Sequence, residues 1–366
     1  MRIKPQLLGM EPYKPGKPIE EVKKELGLSE VQKLASNENP FGASENAIKA
    51  IREAASNPQI YPDGYASELR RAVAEHVNVK EQQLIFGAGS DEVILMLCRS
   101  LLGPDTNTVM AAPTFSQYKH NAVIEGAEIR EVPLRDGTHD LNAMLKLIDE
   151  NTRIVWVCNP NNPSGTYTTK REWSQFLASV PEHVLVVSDE AYKEYVTAED
   201  YPDSLNDLNR YKNLMILRTF SKAYGLASLR IGYGIGHSDF IQSLDPVRPP
   251  FNTTTIAQKA ALAAVKDQAY IQECFHRNYK GLEKLETYCK HKNLEYLPSQ
   301  ANFMLIYTGI SGDKMFSSLL QKGYIIRSGE ALGFPNAIRV TIGSDEQMIG
   351  FLEAFEESLE EHKQML

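Results

Sequence analysis

The stretch TFSKAYGLASLR occupies residues 219–230 and follows an apolar run, residues 214–217, that is typical of a buried strand. One lysine, Lys222, lies here among small and hydroxylated residues. Burial disfavours an ammonium group, so the pKa of such a lysine falls and its amine becomes a nucleophile. A nucleophilic amine can form a Schiff base with an aldehyde.

The groups around this lysine are suited to a phosphate. Hydroxyls at Thr219 and Ser221, together with Arg230, supply donors for a dianion. A small molecule that carries both an aldehyde and a phosphate is pyridoxal 5'-phosphate (PLP). By itself such a stretch is more often a surface turn, so the remainder of the sequence must decide between the two interpretations.

Bulk properties limit the classes to which the chain can belong. Its 366 residues exceed the roughly 250–300 at which single cores stop growing, so two domains are predicted. The formal net charge of -8 argues against nucleic acid as the main partner. No apolar run approaches the roughly 20 residues of a membrane span, so we expect no membrane association and a cytoplasmic protein.

Metal binding and disulfides are not expected. The four cysteines form no CxxC pair, and the eight histidines show no HxxxH or HExxH spacing. Buried, reduced thiols are therefore the prediction for the cysteines.

Polar residues follow two apolar runs that are predicted to be strands buried on both faces of a parallel sheet. Asn162 lies in the rigid turn NPNNPSG (residues 159–165), and Asp189 follows VLVVS (residues 184–188), which is predicted to be a buried strand. Ligands of open α/β sheets bind at the carboxyl ends of the strands. Burying a carboxylate there costs folding free energy unless a cation, such as a protonated pyridine nitrogen, lies beside it. Taken alone, Asp189 is more simply a helix cap.

Two further positions are open to more than one interpretation. The turn GAGSD (residues 87–91) leads into a predicted helix and presents free N–H groups to an anion. In isolation, however, Ser90 is more simply a helix cap. Phe115 follows a predicted strand and can either stack on a flat ring or join the core. Other helices are predicted to be capped by Ser67 and Asp140.

The joint occurrence of these motifs resembles the fold-type I PLP-dependent aminotransferases of class I/II, and the resemblance covers nearly the whole chain. It implies an α/β fold with a large three-layer α/β/α domain, a mostly parallel sheet and a smaller α/β domain. The predicted boundaries are an N-terminal arm at 1–30, a large PLP-binding domain at 31–245 and a small C-terminal domain at 246–366. Besides the lysine motif, the resemblance lies in SNENPFG (36–42), YPD (61–63), NNPSG (161–165), DEAY (189–192), PFN (250–252) and IRVT (338–341).

The resemblance implies a role for each candidate site residue. Lys222 holds PLP as a Schiff base and then moves the substrate's proton, while Asp189 pairs with the pyridinium nitrogen. Asn162 and Tyr192 hydrogen-bond the ring oxygen, and Phe115 stacks on the ring. The 5'-phosphate is surrounded by Ser90, Asp91, Thr219, Ser221 and Arg230. Tyr61 of a second subunit reaches it as well, so that a homodimer with a shared site is implied.

Within the family, the resemblance is to the branch that transaminates L-histidinol phosphate with 2-oxoglutarate in histidine biosynthesis, giving imidazole acetol phosphate and glutamate. Arg339 matches the arginine that holds the substrate's anionic group, beside Asn162. Because a phosphate recruits more donors than a carboxylate, Arg327 and Tyr13 are predicted to bind it too. The alternative is that Arg327 is a solvated surface residue and that Tyr13 makes only apolar contacts. The sequence leaves open an aromatic amino-acid aminotransferase, an enzyme that serves both substrates and, in another class, a PLP-dependent lyase.

Overall fold

The structure of the protein is a computed structural model that describes residues 3–11 and 17–363. Helices and strands alternate along most of the chain, as in other α/β folds. The strands, in chain order, are β1 (Gln32–Lys33), β2 (Leu84–Gly87), β3 (Asn107–Ala112), β4 (Glu128–Pro133), β5 (Thr152–Cys158), β6 (Leu185–Asp189), β7 (Leu214–Thr219), β8 (Gly232–Gly236), β9 (Tyr296–Leu297), β10 (Phe303–Tyr307), β11 (Tyr324–Ile325), β12 (Arg327–Ser328) and β13 (Ala337–Thr341). The helices are α1 (Ile19–Leu26), α2 (Glu45–Ala54), α3 (Ser67–Val77), α4 (Ser90–Leu101), α5 (Gln117–Glu125), α6 (Leu141–Lys146), α7 (Lys170–Ser179), α8 (Ser204–Asp207), α9 (Ser238–Leu244), α10 (Thr255–Lys266), α11 (Gln268–Lys292), α12 (Gly312–Gln321) and α13 (Asp345–Lys363).

Seven strands form the large sheet, in the order β2-β8-β7-β6-β5-β3-β4. The pairs β3–β4, β3–β5, β5–β6 and β6–β7 are parallel, whereas β8 is antiparallel to both β7 and β2. The sheet is therefore mostly parallel, as predicted. Its pairing brings the carboxyl ends of β5, β6 and β7 side by side, since Asp189 aligns with Cys158 on one side and with Leu217 on the other.

Helices cover both faces of the large sheet. Val155 and Val157 of β5 belong to a core shared with α2, α3, α7 and α10, whereas Ile154 and Trp156 belong to a core shared with α4, α5 and α9. This alternation follows from the two-residue period of a strand. The resulting helix–sheet–helix layers confirm the predicted architecture.

Four antiparallel strands form the small sheet, in the order β12-β13-β10-β9. It packs against α11, α12 and α13 through a separate core that includes Leu285, Met315 and Phe351. The segment after β1 connects the two sheets, because Asn302 donates a hydrogen bond to the carbonyl oxygen of Asn37 at 3.0 Å, while the Asn37 side chain reaches Tyr192.

The division of the chain into an arm and two domains stays a prediction. Two packing interactions cross its boundaries: β1 pairs with β11 in a parallel two-stranded sheet, and α10 joins α2 and α3 in the core of the large sheet. Among the helices of the described residues, none is both long and apolar enough to cross a lipid bilayer.

Candidate active site

A cavity of about 1160 Å³ opens where the carboxyl ends of the parallel strands approach the small sheet. The large sheet contributes Asn162, Asp189 and Lys222 to its walls, and the small sheet contributes Arg327 and Arg339. Residues that are distant in sequence thus meet at the edge where open α/β sheets bind ligands. Ionisable groups of both signs line the same cavity.

Lys222 follows β7 and lines this cavity. Its Nζ donates a hydrogen bond to the carbonyl oxygen of Ser36 at 3.2 Å and lies 5.7 Å from the centre of the Tyr192 ring. Burial, and next the nearby charge of Arg339, lowers the pKa of the amine from 10.5 to about 8. Near neutral pH this lysine therefore holds a far larger fraction of nucleophilic neutral amine than an exposed lysine does.

Asp189 ends β6, and its side chain is buried. The hydroxyl of Tyr118 donates a hydrogen bond to Oδ2 at 2.6 Å, and the backbone N–H of Ala191 donates to Oδ1 at 3.2 Å. Burial raises the pKa of this carboxyl group from 3.8 to about 6, against the hydrogen bond from Tyr118. Within the described part of the chain the carboxylate has no ion-pair partner, so a cationic ligand group would stabilise its ionised form.

Tyr192 is linked to the segment that follows β1, and Asn162 is linked to the small sheet. The Tyr192 hydroxyl accepts a hydrogen bond from Asn37 Nδ2 at 2.9 Å, and burial raises its pKa, so it keeps its proton. Asn162 Oδ1 accepts a hydrogen bond from Arg339 Nη1 at 2.5 Å. Arg339 Nη2 donates to the carbonyl oxygen of Ala35 at 2.7 Å. The guanidinium of Arg339 is therefore held in a fixed orientation beside the cavity.

A cradle for an anion lies at the N-terminus of α4, which begins at Ser90 after a glycine-rich turn. Gly89 has a φ of +79°, and a Cβ at this position would lie 2.5 Å from Arg230 Nη2. Arg230 Nη1 donates to the Ser221 hydroxyl at 3.3 Å, and Nη2 lies 3.5 Å from Asp91 Oδ2. The N–H groups of a helix N-terminus, hydroxyls and a guanidinium together suit a phosphate dianion. The predicted members Ser90, Asp91, Thr219, Ser221 and Arg230 all line the cavity.

Phe115 also lines the cavity and packs edge-on against Tyr118, with ring centres 5.5 Å apart. Tyr118 in turn stacks on Trp156 at 4.6 Å. Because the rings behind Phe115 are buried, its position is fixed by the core while one part of its surface remains available to a ligand.

Arg327 and Arg339 form the cationic side of the cavity. They are register partners on the antiparallel strands β12 and β13, so their side chains project from the same face of the sheet. Arg339 is buried and Arg327 is half-buried. In the described residues, Arg327 has no carboxylate partner, and an anionic ligand would offset the repulsion between the two guanidinium groups.

Two predicted site residues are not brought to this cavity by the structure. Tyr61 is 79% exposed and stacks on Phe251 rather than lining the cavity of its own chain. Tyr13 lies outside the described residues, although the neighbouring Met10 and Glu11 line the cavity.

Two residues of the site were missed by sequence reasoning. Tyr118, the hydrogen-bond donor to Asp189, is absent from the sequence-based candidates, and Asn37, the partner of Tyr192, enters only as part of SNENPFG. Both are polar residues that the fold buries completely or nearly so. A buried position for a polar residue is the signal that would have identified them, and the sequence alone does not give it.

The chemistry of these groups fits pyridoxal 5'-phosphate. Asp189 offers a buried carboxylate to a ring nitrogen cation, Lys222 offers an amine of lowered pKa to an aldehyde, and the cradle at α4 offers donors to a phosphate. The described residues contain no group of three or more His, Cys, Asp and Glu side chains placed to hold a metal ion.

Comparisons with known proteins extend this picture. Residues 29–355 match the model of the family described as aminotransferase class I and II. The chain is 61% identical over 361 residues to a histidinol-phosphate aminotransferase of Halalkalibacterium halodurans, covering 99% of this chain and 98% of that protein. It is 58% identical over 366 residues to a histidinol-phosphate aminotransferase of Geobacillus sp. (strain WCH70), covering 100% of both.

Solved structures agree with the fold. The crystal structure of histidinol-phosphate aminotransferase from Sinorhizobium meliloti in complex with pyridoxal-5'-phosphate superimposes with a TM-score of 0.90 at 26% identity, covering 98% of each chain. Aspartate aminotransferase from Thermus thermophilus with maleate superimposes with a TM-score of 0.83 at 21% identity, covering 100% of each chain. At that lower identity the second likeness concerns the fold alone.

Proposed function

The chain belongs to the aminotransferase class I and II family, and from this premise we propose that it transfers the amino group of L-histidinol phosphate to 2-oxoglutarate, with pyridoxal 5'-phosphate as cofactor. The products are imidazole acetol phosphate and glutamate, so the reaction is a step of histidine biosynthesis. Relatives at 61% and 58% identity over essentially the whole chain bear this name, which favours histidinol phosphate over the aromatic amino acids.

When bound, PLP supplies an aldehyde that takes up the substrate's amino group and a ring that withdraws electrons from the adjacent carbon. We assign to the neutral Nζ of Lys222 the removal of the proton from that carbon of the substrate and its delivery to the carbon that PLP would supply as the aldehyde. We assign to Asp189 the task of keeping the ring nitrogen protonated, since an ionised carboxylate in a buried site stabilises a cation beside it. Asn162 and Tyr192 orient the ring oxygen, and Phe115 lies against the ring face.

The observation that carries the substrate assignment is the arginine pair on the small sheet. Arg339 already has a fixed orientation through Asn162 and Ala35, which suits it to grip one anionic group. Arg327 lines the same cavity beside it. A carboxylate is satisfied by one bidentate fork, whereas a phosphate has more acceptor oxygens and nearly two charges. Two arginines facing one cavity therefore favour the phosphate, with Tyr13 proposed as a third donor.

The experiment that tests this assignment compares KM values of purified wild-type and Arg327→Gln enzyme. We expect KM for histidinol phosphate to rise roughly 10-fold or more, as for the loss of a charge-assisted hydrogen bond, with a much smaller rise for glutamate or phenylalanine. Arg339→Gln serves as the control, because every substrate uses that arginine and all KM values should rise.

The same measurements separate the alternatives. Equal losses for all substrates in Arg327→Gln would favour an aromatic amino-acid aminotransferase. Turnover of histidinol phosphate without any 2-oxo acid would favour a lyase, since transamination needs an acceptor for the amino group.

We also propose that the active form is a homodimer with a shared cavity. Tyr61 is 79% exposed and stacks on Phe251, itself 47% exposed, with ring centres 4.7 Å apart. Ile60 and Tyr65 are exposed on the same segment. Exposed apolar surface of this kind marks an interaction site. A second copy of the chain would cover it and receive the Tyr61 hydroxyl at its phosphate cradle.

A cytoplasmic location completes the proposal. It is supported by the four cysteines, which are buried free thiols, as is usual in a reducing compartment.

A further inference from the structure

A group of buried polar side chains lies behind the turn that carries Asn162. Asn161 is 1% exposed and His139 is 5% exposed, and they stand behind the cavity wall that Thr114 and Asn162 help to form. His139 precedes α6 and is distant from the catalytic groups in sequence. Buried polar groups of this kind are costly unless their hydrogen bonds are made, so each bond in the group matters.

The side-chain amide of Asn161 uses its full hydrogen-bonding capacity. Its Oδ1 accepts from the Thr114 hydroxyl at 2.7 Å and lies 3.1 Å from His139 Nε2. Its Nδ2 donates to the Ser164 hydroxyl at 2.8 Å and to the carbonyl oxygen of Pro113 at 3.4 Å. An amide has two acceptor and two donor positions, and all four are occupied.

These bonds determine which ring nitrogen of His139 carries a proton. The carbonyl of Pro113 can only accept, so Nδ2 of Asn161 must face it and Oδ1 must face the imidazole. Nε2 of His139 therefore carries a proton and donates it, and Nδ1 is the unprotonated nitrogen. Burial lowers the pKa of His139 from 6.5 to about 4, against the hydrogen bond to Asn161, so the ring stays neutral near neutral pH.

Asn161 connects the two turns that carry Phe115 and Asn162, both of which line the cavity. Through Thr114 it is tied to the turn after β3 that carries Phe115, and through the backbone it is joined directly to Asn162. Its turn is closed by hydrogen bonds from Gly165 N–H to Asn161 O at 2.7 Å and from Asn161 N–H to Thr166 O at 2.8 Å. A shift of the Asn161 amide would therefore move both Phe115 and Asn162.

We propose that His139 is a positioning residue of the reaction: its neutral imidazole donates from Nε2 to Asn161 and so aims Asn162 and Phe115 at the cofactor's ring. The side chain does more than fill space. Its Nδ1 has no hydrogen-bond partner in the described part of the chain, so an imidazole at this position costs folding free energy that an apolar residue of similar size would not. The inference rests on the proposed function, because it takes PLP to be the ligand that Asn162 contacts.

The test compares His139→Leu, which keeps the bulk and removes the donor, with His139→Gln, which offers an amide N–H in its place. The matched control is Thr152→Val, because Thr152 is also buried and hydrogen-bonded, to Asn107 at 2.7 Å, but lies at the opposite end of β5. Four quantities are measured on the full-length protein: PLP affinity by reconstitution, visible circular dichroism of bound PLP, and kcat and KM for histidinol phosphate.

We expect His139→Leu to lower kcat roughly 10-fold or more, as when a reacting group is slightly misplaced, with a smaller change in KM. PLP affinity should fall and the visible dichroism should change, because the ring contacts shift. His139→Gln should recover most of these losses. Thr152→Val should lower the unfolding temperature and leave the dichroism and kcat unchanged.

Dichroism, PLP affinity and kcat that match wild type in folded His139→Leu would overturn the proposal, as would a Thr152→Val variant that changes them equally. If His139→Leu does not fold, Thr114→Val replaces it, since it removes the other donor to the same Asn161 oxygen, and the same outcomes decide. Failure of the wild-type protein to bind PLP would instead reject the proposed function, so the two failures are distinguishable.

Discussion

At the scale of single residues, burial brings the ionisation of Lys222 and Asp189 close to neutral pH. It lowers the pKa of the amine to about 8 and raises the pKa of the carboxyl group to about 6. Both shifts have desolvation as their largest cause, and both disfavour the charged forms. A cofactor that reacts with the amine and presents a cation to the carboxylate would relieve both costs at once, which is why the two groups belong to one site.

Lys222→Ala should abolish transamination, because the variant loses both the amine that holds the cofactor and the base that moves the proton. We expect turnover to fall by at least roughly 100-fold, the lower range for removing a general base alone. A coupled assay for glutamate formation measures it. Near wild-type turnover in this variant would show that Lys222 is not the catalytic lysine.

The lowered pKa of Lys222 also predicts how stability of the cofactor-free protein depends on pH. The folded state releases this proton near pH 8, whereas the unfolded chain keeps it up to 10.5. Between these values the unfolded state binds more protons, so the contribution of Lys222 to stability rises with pH. Urea unfolding at a series of pH values should show this rise in wild type relative to Lys222→Met. Identical pH dependence of the two proteins would contradict the shift.

Asp189→Asn should bind PLP but lose most of its activity, roughly 100-fold, as when one preorganised charge of an active site is removed. The neutral amide cannot hold the ring nitrogen protonated. Tyr118→Phe is the matched control, because it removes the 2.6 Å hydrogen bond and leaves the carboxylate, and we expect a smaller loss. An unchanged kcat in Asp189→Asn, measured at saturating PLP, would reject this role for the carboxylate.

The sequence pattern is enough to predict where residues at a strand end lie, but it does not predict the place of residues positioned by packing. Lys222, Asp189 and Asn162 each follow an apolar run, and the parallel sheet necessarily gathers such positions at one edge. Tyr118, on a helix, donates a hydrogen bond to Asp189 from behind the cavity wall, and Asn37 lines the same cavity from an irregular segment. Their partners are 71 and 155 residues away, so no local pattern identifies them.

At the scale of secondary structure elements, the predictions for helix starts were partly right. Asp140 caps α6 as predicted, since its side chain accepts a hydrogen bond from the N–H of Ala143. The prediction that Ser67 caps α3 is wrong: Asp63 accepts hydrogen bonds from the N–H groups of Tyr65 and Ser67 instead. Asp63 lies outside the helix in the turn before it, and an ionised carboxylate is the stronger acceptor for N–H groups at a helix start.

The simpler interpretation of Ser90 as a cap is also wrong, because Gly89 is the N-cap residue and Ser90 already belongs to α4. This difference matters for the anion cradle. Gly89 has no side chain that could accept hydrogen bonds from the first N–H groups of the helix. Arg230 occupies the space that a Cβ at this position would need.

Gly89→Ala should therefore weaken PLP binding more than it weakens the fold. The added methyl group would displace the mobile end of Arg230 and strain a φ of +79° by about 1 kcal/mol. We expect PLP affinity to fall roughly 10-fold, because about one hydrogen bond to a charged group would be lost. Gly103→Ala, just beyond the other end of α4, is the matched control, since a Cβ there meets nothing within 4 Å. Equal PLP affinities of the two variants would exclude this role of Gly89.

At the scale of the whole molecule, the layers were predictable and the strand order was not. Continuous apolar runs separated by helical patterns indicate a parallel sheet covered on both sides. The place of β8 between β2 and β7, and the pairing of β1 with β11, join segments far apart in sequence. Such pairings depend on the packing of the complete chain. For the same reason the sequence does not give the position of Tyr61 relative to the cavity, which we propose to be that of a second copy of the chain.

That second copy is tested by Tyr61→Phe. The variant keeps the ring that stacks on Phe251 at 4.7 Å, so folding and association should be unchanged. Loss of the hydroxyl should weaken PLP binding roughly 10-fold, because a hydrogen bond to a charged phosphate disappears. Tyr65→Phe is the matched control on the same surface, where the ring already packs under Arg248 at 5.0 Å. Reconstitution with PLP and light scattering measure both variants. A fully active wild-type monomer, or equal PLP affinity in Tyr61→Phe and wild type, would contradict the shared cavity.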